Sequence, residues 1–218
     1  MKRTRIRNLL IAACLVSWIV TAIDPYDPEA WALEQIAGLL CIGCFVWSTH
    51  STSYSISCWV GLAILFIFHT IGTHFTYSLT PYDAFFQNIT GSTLNDILGW
   101  ERNHYDRFVH FVFGLATIRI FYEFLLQREH DNSPMTWFLA FNLVISASAL
   151  YELMEWAAAL MFANEAGTLY LGTQGDIWDA QVDIFLAGLG AILSITAYQL
   201  PAAMRKLRAR TYRSEFEF

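Results

Sequence analysis

Three aspartates, Asp176, Asp179 and Asp183, follow one another at intervals of three and four residues where the polar stretch GTQGDIWDAQVDI runs into a long apolar segment. At that spacing they share one helical face, provided the helix begins early enough to include Asp176. Glu152 and Glu155 repeat the pattern at i, i+3, and Asp106 and His110 at i, i+4. His69 and His74 are five apart, which turns them away from each other on a regular helix. Either His74 lies beyond the helix end or only one of the two points inward. Carboxylates and imidazoles facing each other between helices are the donor set of a metal site in a bundle. Without a metal the same groups make a proton relay, because closely spaced carboxylates cannot all ionise.

Plainer roles exist for some of them. Asp176 and Asp179 fit the start of a helix, where the dipole favours acids. Asp106 fits an orienting bond to His110 or an ion pair with Arg102 or Arg107. A lone histidine such as His69 on an apolar face is ordinarily packed and hydrogen-bonded. Glu152 and Glu155 are the hardest to dismiss, since a helix in lipid gains nothing from them unless partners exist.

The elements that must position these groups are membrane helices. Of the 218 residues 56% are hydrophobic and only 15% charged, too apolar a balance for the surface of a soluble domain. A helix needs about 20 mainly apolar residues to cross the hydrocarbon core. Six segments qualify, at about 8–23, 31–48, 57–75, 108–126, 136–162 and 180–200. The expected fold is therefore all-α: one polytopic transmembrane domain over 1–218. Its connections are short except for 76–107, which is long enough to require an ordered loop or surface helices. The first span follows a basic stretch like a signal peptide, but no small-residue cleavage site follows, so it reads as an uncleaved helix.

Nine of the thirteen Lys and Arg residues lie in MKRTRIR and MRKLRARTYR, which flank the first and last spans. The positive-inside rule then puts both termini in the cytoplasm. Basic ends beside hydrophobic helices are no nucleic-acid surface. With that threading, His69, His74, Asp106, His110, Glu152, Glu155 and the three aspartates all fall at the outer end of their spans. A carboxylate at a helix centre costs about 2.5–3.5 kcal/mol on insertion scales, so acids gathered at one depth imply pairing, a bound ion or a wet cavity. The cysteines say less. Cys41 and Cys44 form a C-x-x-C, but with no second pair and aliphatic neighbours they read as packing residues.

FHTIGTHFTYS, RNHYDRFVHFVFG, YELMEW and GTQGDIWDAQVDI resemble the motifs of the YjdF-like inner-membrane proteins of bacteria, over most of the chain from about the second span to the sixth. The resemblance implies six spans in the plasma membrane and supplies no established activity. It nominates His69, His74, Arg102, Asp106, His110, Glu152, Glu155, Gln174, Asp176, Asp179, Gln181 and Asp183. A fainter likeness to VanZ-like membrane proteins rests on Asp106 with His110 and Phe111, an acidic helix and an Asp-rich start of the next. It implies a cell-envelope role, although the Arg and Asn usual around the later Asp have no clear match.

These observations lead to an expected membrane-embedded enzyme opening to the outer leaflet, with one or two divalent metals. The metal ligands would come from His69, His74, His110, Glu155, Asp179 and Asp183, with Glu152 beside them. Glu152, Asp176 and Asp106 would serve as catalytic groups, Asp106 also orienting His110. Arg102, Arg107, Gln174 and Gln181 would bind a lipid-linked, anionic substrate. A proton- or cation-coupled transporter using the same cluster is the first alternative, and a structural or envelope-interaction protein of the bilayer the second.

Overall fold

The computed structural model describes residues 2–129, 133–161 and 172–216, which form helices and no strands. In chain order these are α1 Lys2–Thr21, α2 Pro28–Ser48, α3 Ile56–His74, α4 Tyr82–Thr90, α5 Leu94–Leu98, α6 Tyr105–Glu129, α7 Pro134–Met161 and α8 Asp179–Phe216. Six of them, α1, α2, α3, α6, α7 and α8, are long and apolar enough to cross a membrane. Most boundaries differ from expectation by a few residues. α1 starts at Lys2, because a helix satisfies its own backbone hydrogen bonds and so continues through the interface. α8 runs on past its apolar part, which ends at Leu200. The expected last residue of the fifth span, 162, lies outside the described residues.

The long connection between α3 and α6 holds the two short helices α4 and α5. α4 and α5 each end on a left-handed glycine, Gly91 (φ 83°) and Gly99 (φ 68°), the conformation that lets a helix stop in a turn. Thr93 caps α5 by accepting a bond from the Asp96 amide.

α6 is the centre of the bundle and packs against α3, α7 and α8. Its contact with α8 is backbone on backbone. A Cβ on Gly114 would overlap the Ala187 carbonyl oxygen, and one on Gly190 would overlap the Phe111 carbonyl oxygen. Lipid offers no hydrophobic force between helices, so small residues that permit this approach hold such pairs together. Ile118, Val144, Ala187 and Ala191, all buried, continue the seam inwards. On the other side Gly61 of α3 faces Ala116, with 3.3 Å left for a Cβ. α1 docks on α3 through a Ser17–Thr70 hydroxyl bond of 2.7 Å. α2 is tied to α1 by Trp18 Nε1 donating to Gln35 Oε1 at 2.8 Å, and Asp27 caps its start.

Arg119, the basic residue left inside a span, pairs with Glu123 one turn on (2.6 Å) and lies 4.1 Å over the Tyr198 ring. Glu123 also accepts from the Ser55 amide at 2.8 Å. That assembly sits at the end of the bundle opposite the acid cluster and serves to hold α3 against α6. Cys14, Cys44 and Cys58 are free thiols; the Cys41 side chain lies outside the described residues.

Candidate functional site

The close crossing of α6 and α8 builds the site. His110 lies one turn before Gly114 and Asp183 one turn before Ala187, so the glycine contact carries these side chains together. Asp106, His110 and Asp183 offer ligand atoms all within 4.8 Å of one another. All three are buried, and Asp183 is only 1% exposed. Among the described residues its Oδ1 has no hydrogen-bond partner. A carboxylate oxygen enclosed without a donor is costly, and a cation or a proton is what relieves it. From α7, Glu152 places Oε1 3.2 Å from His110 Nε2, and Asp106 Oδ1 lies 3.7 Å from the same nitrogen. The other ring nitrogen, Nδ1, is 3.4 Å from the Ser148 hydroxyl. Nε2 thus faces the carboxylates while Ser148 bounds the back of the ring, the second contact that orients a ligand histidine. Glu155 and Asp179 are each 5% exposed and sit beside this group on α7 and α8.

Asp176 departs from expectation. α8 begins at Asp179, so the three aspartates do not share a helix face. The Asp176 Oδ1 accepts from the Trp178 amide at 2.9 Å, a local side-chain turn that competes with helical bonding just before the helix starts. Asp176 instead belongs to a latch between two loops. Arg107 pairs with its Oδ2, and Arg102 Nη1 lies 3.5 Å from the same oxygen and 2.7 Å from Asp179 Oδ1. Arg102 also donates to the Thr173 carbonyl at 2.9 Å. Gln174 closes the latch with two bonds to the Asn103 backbone, its Oε1 accepting at 3.0 Å and its Nε2 donating at 2.9 Å. The arginines therefore pair with Asp176 and Asp179, and the ion pair considered for Asp106 is not formed. Gln181 is exposed, about 200° round α8 from both Asp179 and Asp183, and is not brought to the cluster.

The Trp178 amide and then the Arg107 guanidinium hold the Asp176 carboxyl below the ordinary aspartate value of 3.8. A depressed value stabilises the folded latch fully above 3.8, and the contribution is lost as pH falls through the lowered value. Accordingly, Asp176→Asn should speed amide exchange across residues 172–178 at neutral pH. The wild-type loop should approach that behaviour only below about pH 4. Equal exchange in both proteins at pH 7 would show that the latch does not depend on this charge.

The histidines of α3 separate, as their spacing allowed. His74 ends the helix with Nδ1 3.0 Å from the Thr21 carbonyl and its ring edge-on to Phe75. It anchors α1 and is not near the carboxylates. His69 faces the bundle, where Nδ1 is 2.5 Å from the Tyr77 hydroxyl. Burial pushes the Tyr77 phenol well above its ordinary range, so the hydroxyl keeps its proton in this bond, in which either group can donate. His69 Nε2 points away from Tyr77 at the cluster's edge. It is not among the three convergent ligands.

Four residues near the cluster were not singled out from sequence: Glu34, Tyr77, Ser148 and Tyr151. Glu34 is 3% exposed and accepts from the Tyr151 hydroxyl at 2.8 Å, and the Tyr151 ring lies edge-on to His110 at 5.7 Å. The signal for Glu34 was available, an acid inside the expected span 31–48. Tyr77 had no such signal. It reaches His69 because Thr76 and Tyr77 both take φ 52°, a reversal that lays its ring on Gly72.

Beneath the cluster a cavity of about 620 Å³ opens between α2, α3, α6 and α7. Asp106, His110, His69 and Tyr77 line one end of it, and Phe45, Tyr54 and Phe124 the other.

Residues 6–201 match the model of a family described as predicted membrane protein (DUF2238). The chain belongs to this family. It is similar to the inner membrane protein YjdF of Escherichia coli (strain K12), with 30% identity over 178 residues and 81% of each chain covered. No solved structure matches. Family membership, together with six apolar helices, makes the chain a multi-pass membrane protein.

Proposed function

We propose that this protein is a metal-dependent hydrolase of the bacterial inner membrane that cleaves a phosphate or ester bond of a lipid-linked envelope substrate at the outer leaflet. The observation that carries the reading is the convergence of Asp106, His110 and Asp183 within 4.8 Å, with one Asp183 oxygen buried and unpartnered. Two carboxylates and an imidazole suit a divalent cation of the zinc or manganese kind. Basic residues at the start of α1 and the end of α8 support a cytoplasmic location for both ends and an outer location for the site. The similarity to an inner membrane protein supports the compartment.

The cation would polarise the scissile group and lower the pKa of a water held beside it. This chain's residues would do the rest. In hydrolysis, oxygen from water bonds to phosphorus or acyl carbon while the ester oxygen to the lipid departs. Glu152, next to His110, would accept the water's proton and return it to the departing oxygen. Asp179 would hold Arg102 at the rim, where the guanidinium can meet an anionic head group.

The group of buried acids around His110, with Glu34 bonded to the Tyr151 hydroxyl and the Tyr151 ring edge-on to His110, favours a proton-coupled transporter as the second reading. The deciding experiment is metal analysis of detergent-purified protein, with phosphatase and esterase assays on short-chain lipid phosphates. The proposal expects bound divalent metal and turnover that chelation abolishes. Metal-free protein, with liposome flux that follows a pH gradient and requires Glu152, would transfer support to the transporter. A Glu152→Gln, Glu155→Gln, Asp183→Asn triple variant that keeps every phenotype would leave a structural role.

A further inference from the structure

We infer that the cavity between α2, α3, α6 and α7 seats one hydrocarbon chain of a single-chain lipid phosphate, whose head group lies at Asp106 and His110. The inference rests on the hydrolase reading and names its substrate class.

Three features of the cavity define the occupant. Polar side chains gather at its upper end, where His69, Tyr77, Asp106 and His110 stand; below them the lining is dominated by Leu62, Phe113, Ile120 and Phe124. That is the profile of a molecule with one head and a long apolar body. Length comes next. Between Asp106 and Phe124, α6 rises about 27 Å, against a hydrocarbon core of about 30 Å. The tails of one leaflet reach the midplane, about half that distance, so a chain fills the cavity only when it lies extended. Width is the third feature. A volume of about 620 Å³ holds roughly twenty groups the size of water or methylene at about 30 Å³ each. One chain of about twenty carbons fits, and two do not.

A way in exists as well. Leu40 and Trp47 on α2 and Leu150 and Met154 on α7 line the cavity and are also exposed at 56%, 72%, 62% and 36%. These residues form a rim facing the bilayer, so a chain enters sideways without leaving the apolar phase. At the polar end the Tyr151–Glu34 bond joins α7 to α2 and sets the upper limit of that opening. Gly38 keeps the passage clear beside His69, where a Cβ would stand 3.1 Å from Nε2.

The test uses eicosyl phosphate, a straight chain of about twenty carbons, with a photoreactive diazirine at the far end of its chain, bound to the whole protein in detergent. Cross-links are expected on the peptides holding Phe45 and Phe124, at the end of the cavity away from the head site. Dioleoyl phosphatidic acid, which has the same head group and two chains, should compete about tenfold more weakly than unlabelled probe, a difference of about 1.4 kcal/mol. Ala147→Trp, on the wall just below Ser148, should cut labelling about tenfold while metal content stays unchanged. Labelling confined to the outward faces of α1 and α8, or equal competition by the two-chain lipid, would overturn the inference. Bound metal without deep labelling would defeat the chain seat and leave the hydrolase reading standing. Deep labelling of a protein that binds no metal would defeat the hydrolase reading and leave the seat.

Discussion

Asp183→Asn should lower divalent-metal affinity by at least about a hundredfold, the upper range even for loss of an outer-shell partner, and abolish turnover. The side chain supplies one of the three convergent ligand atoms and is 1% exposed, so no water or neighbouring chain can stand in for it. The same substitution should have the opposite effect on the metal-free fold. Wild type encloses an unpartnered carboxylate oxygen, and an amide in its place removes a buried charge. The metal-free variant should therefore melt at or above the wild-type temperature, whereas only wild type should gain stability from added metal, about 2.7 kcal/mol at a hundred times Kd. Titration calorimetry and melting with and without metal read both effects. Asp176→Asn is the control: that residue lies in the latch, outside the trio, so metal binding should persist. Unchanged metal affinity in Asp183→Asn would remove the metal centre from consideration.

Gly114→Val should prevent the bundle from assembling. A Cβ there overlaps the Ala187 carbonyl oxygen, and a backbone group cannot swing aside as a side chain tip does. The helices would have to separate along the seam that also brings Asp183 to His110. Overpacking of this kind costs about 1–3 kcal/mol even where the neighbours can adjust, and here they are main chain. The expected outcome is aggregation or loss of monodisperse protein in detergent, with any residual folded fraction lacking the site. Gly43→Val is the matched control, since a Cβ at Gly43 meets nothing within 4 Å. Similar yield and melting for Gly114→Val and Gly43→Val would show that α6 and α8 do not rely on close backbone approach.

Much of the site was legible residue by residue. Asp106 with His110, and Glu152 with Glu155, were recognisable because each pair lies within one helix, where periodicity alone says which side chains share a face. Asp183 was marked by its depth, a turn inside an apolar span. Asp176 misled, because spacing alone carried the helix back to a residue whose side chain bonds the Trp178 amide in a turn before the helix starts. Arg102 and Arg107 were recognisable as cations near the site. Their pairing with Asp176 and Asp179 depends on the starts of α6 and α8, with the loops that lead into them, meeting across some seventy residues of sequence, and no local pattern encodes that.

Hydropathy by itself determined the six spans, because the cost of placing polar groups in lipid acts on each helix separately. Which faces meet was decided only by the tertiary structure. The distance between Asp183 and His110 is set by glycine-permitted contact between α6 and α8, and the cavity by the space left where α2 and α7 stand apart. Both are properties of helix pairs, and pairwise packing leaves no period in a single strand of sequence.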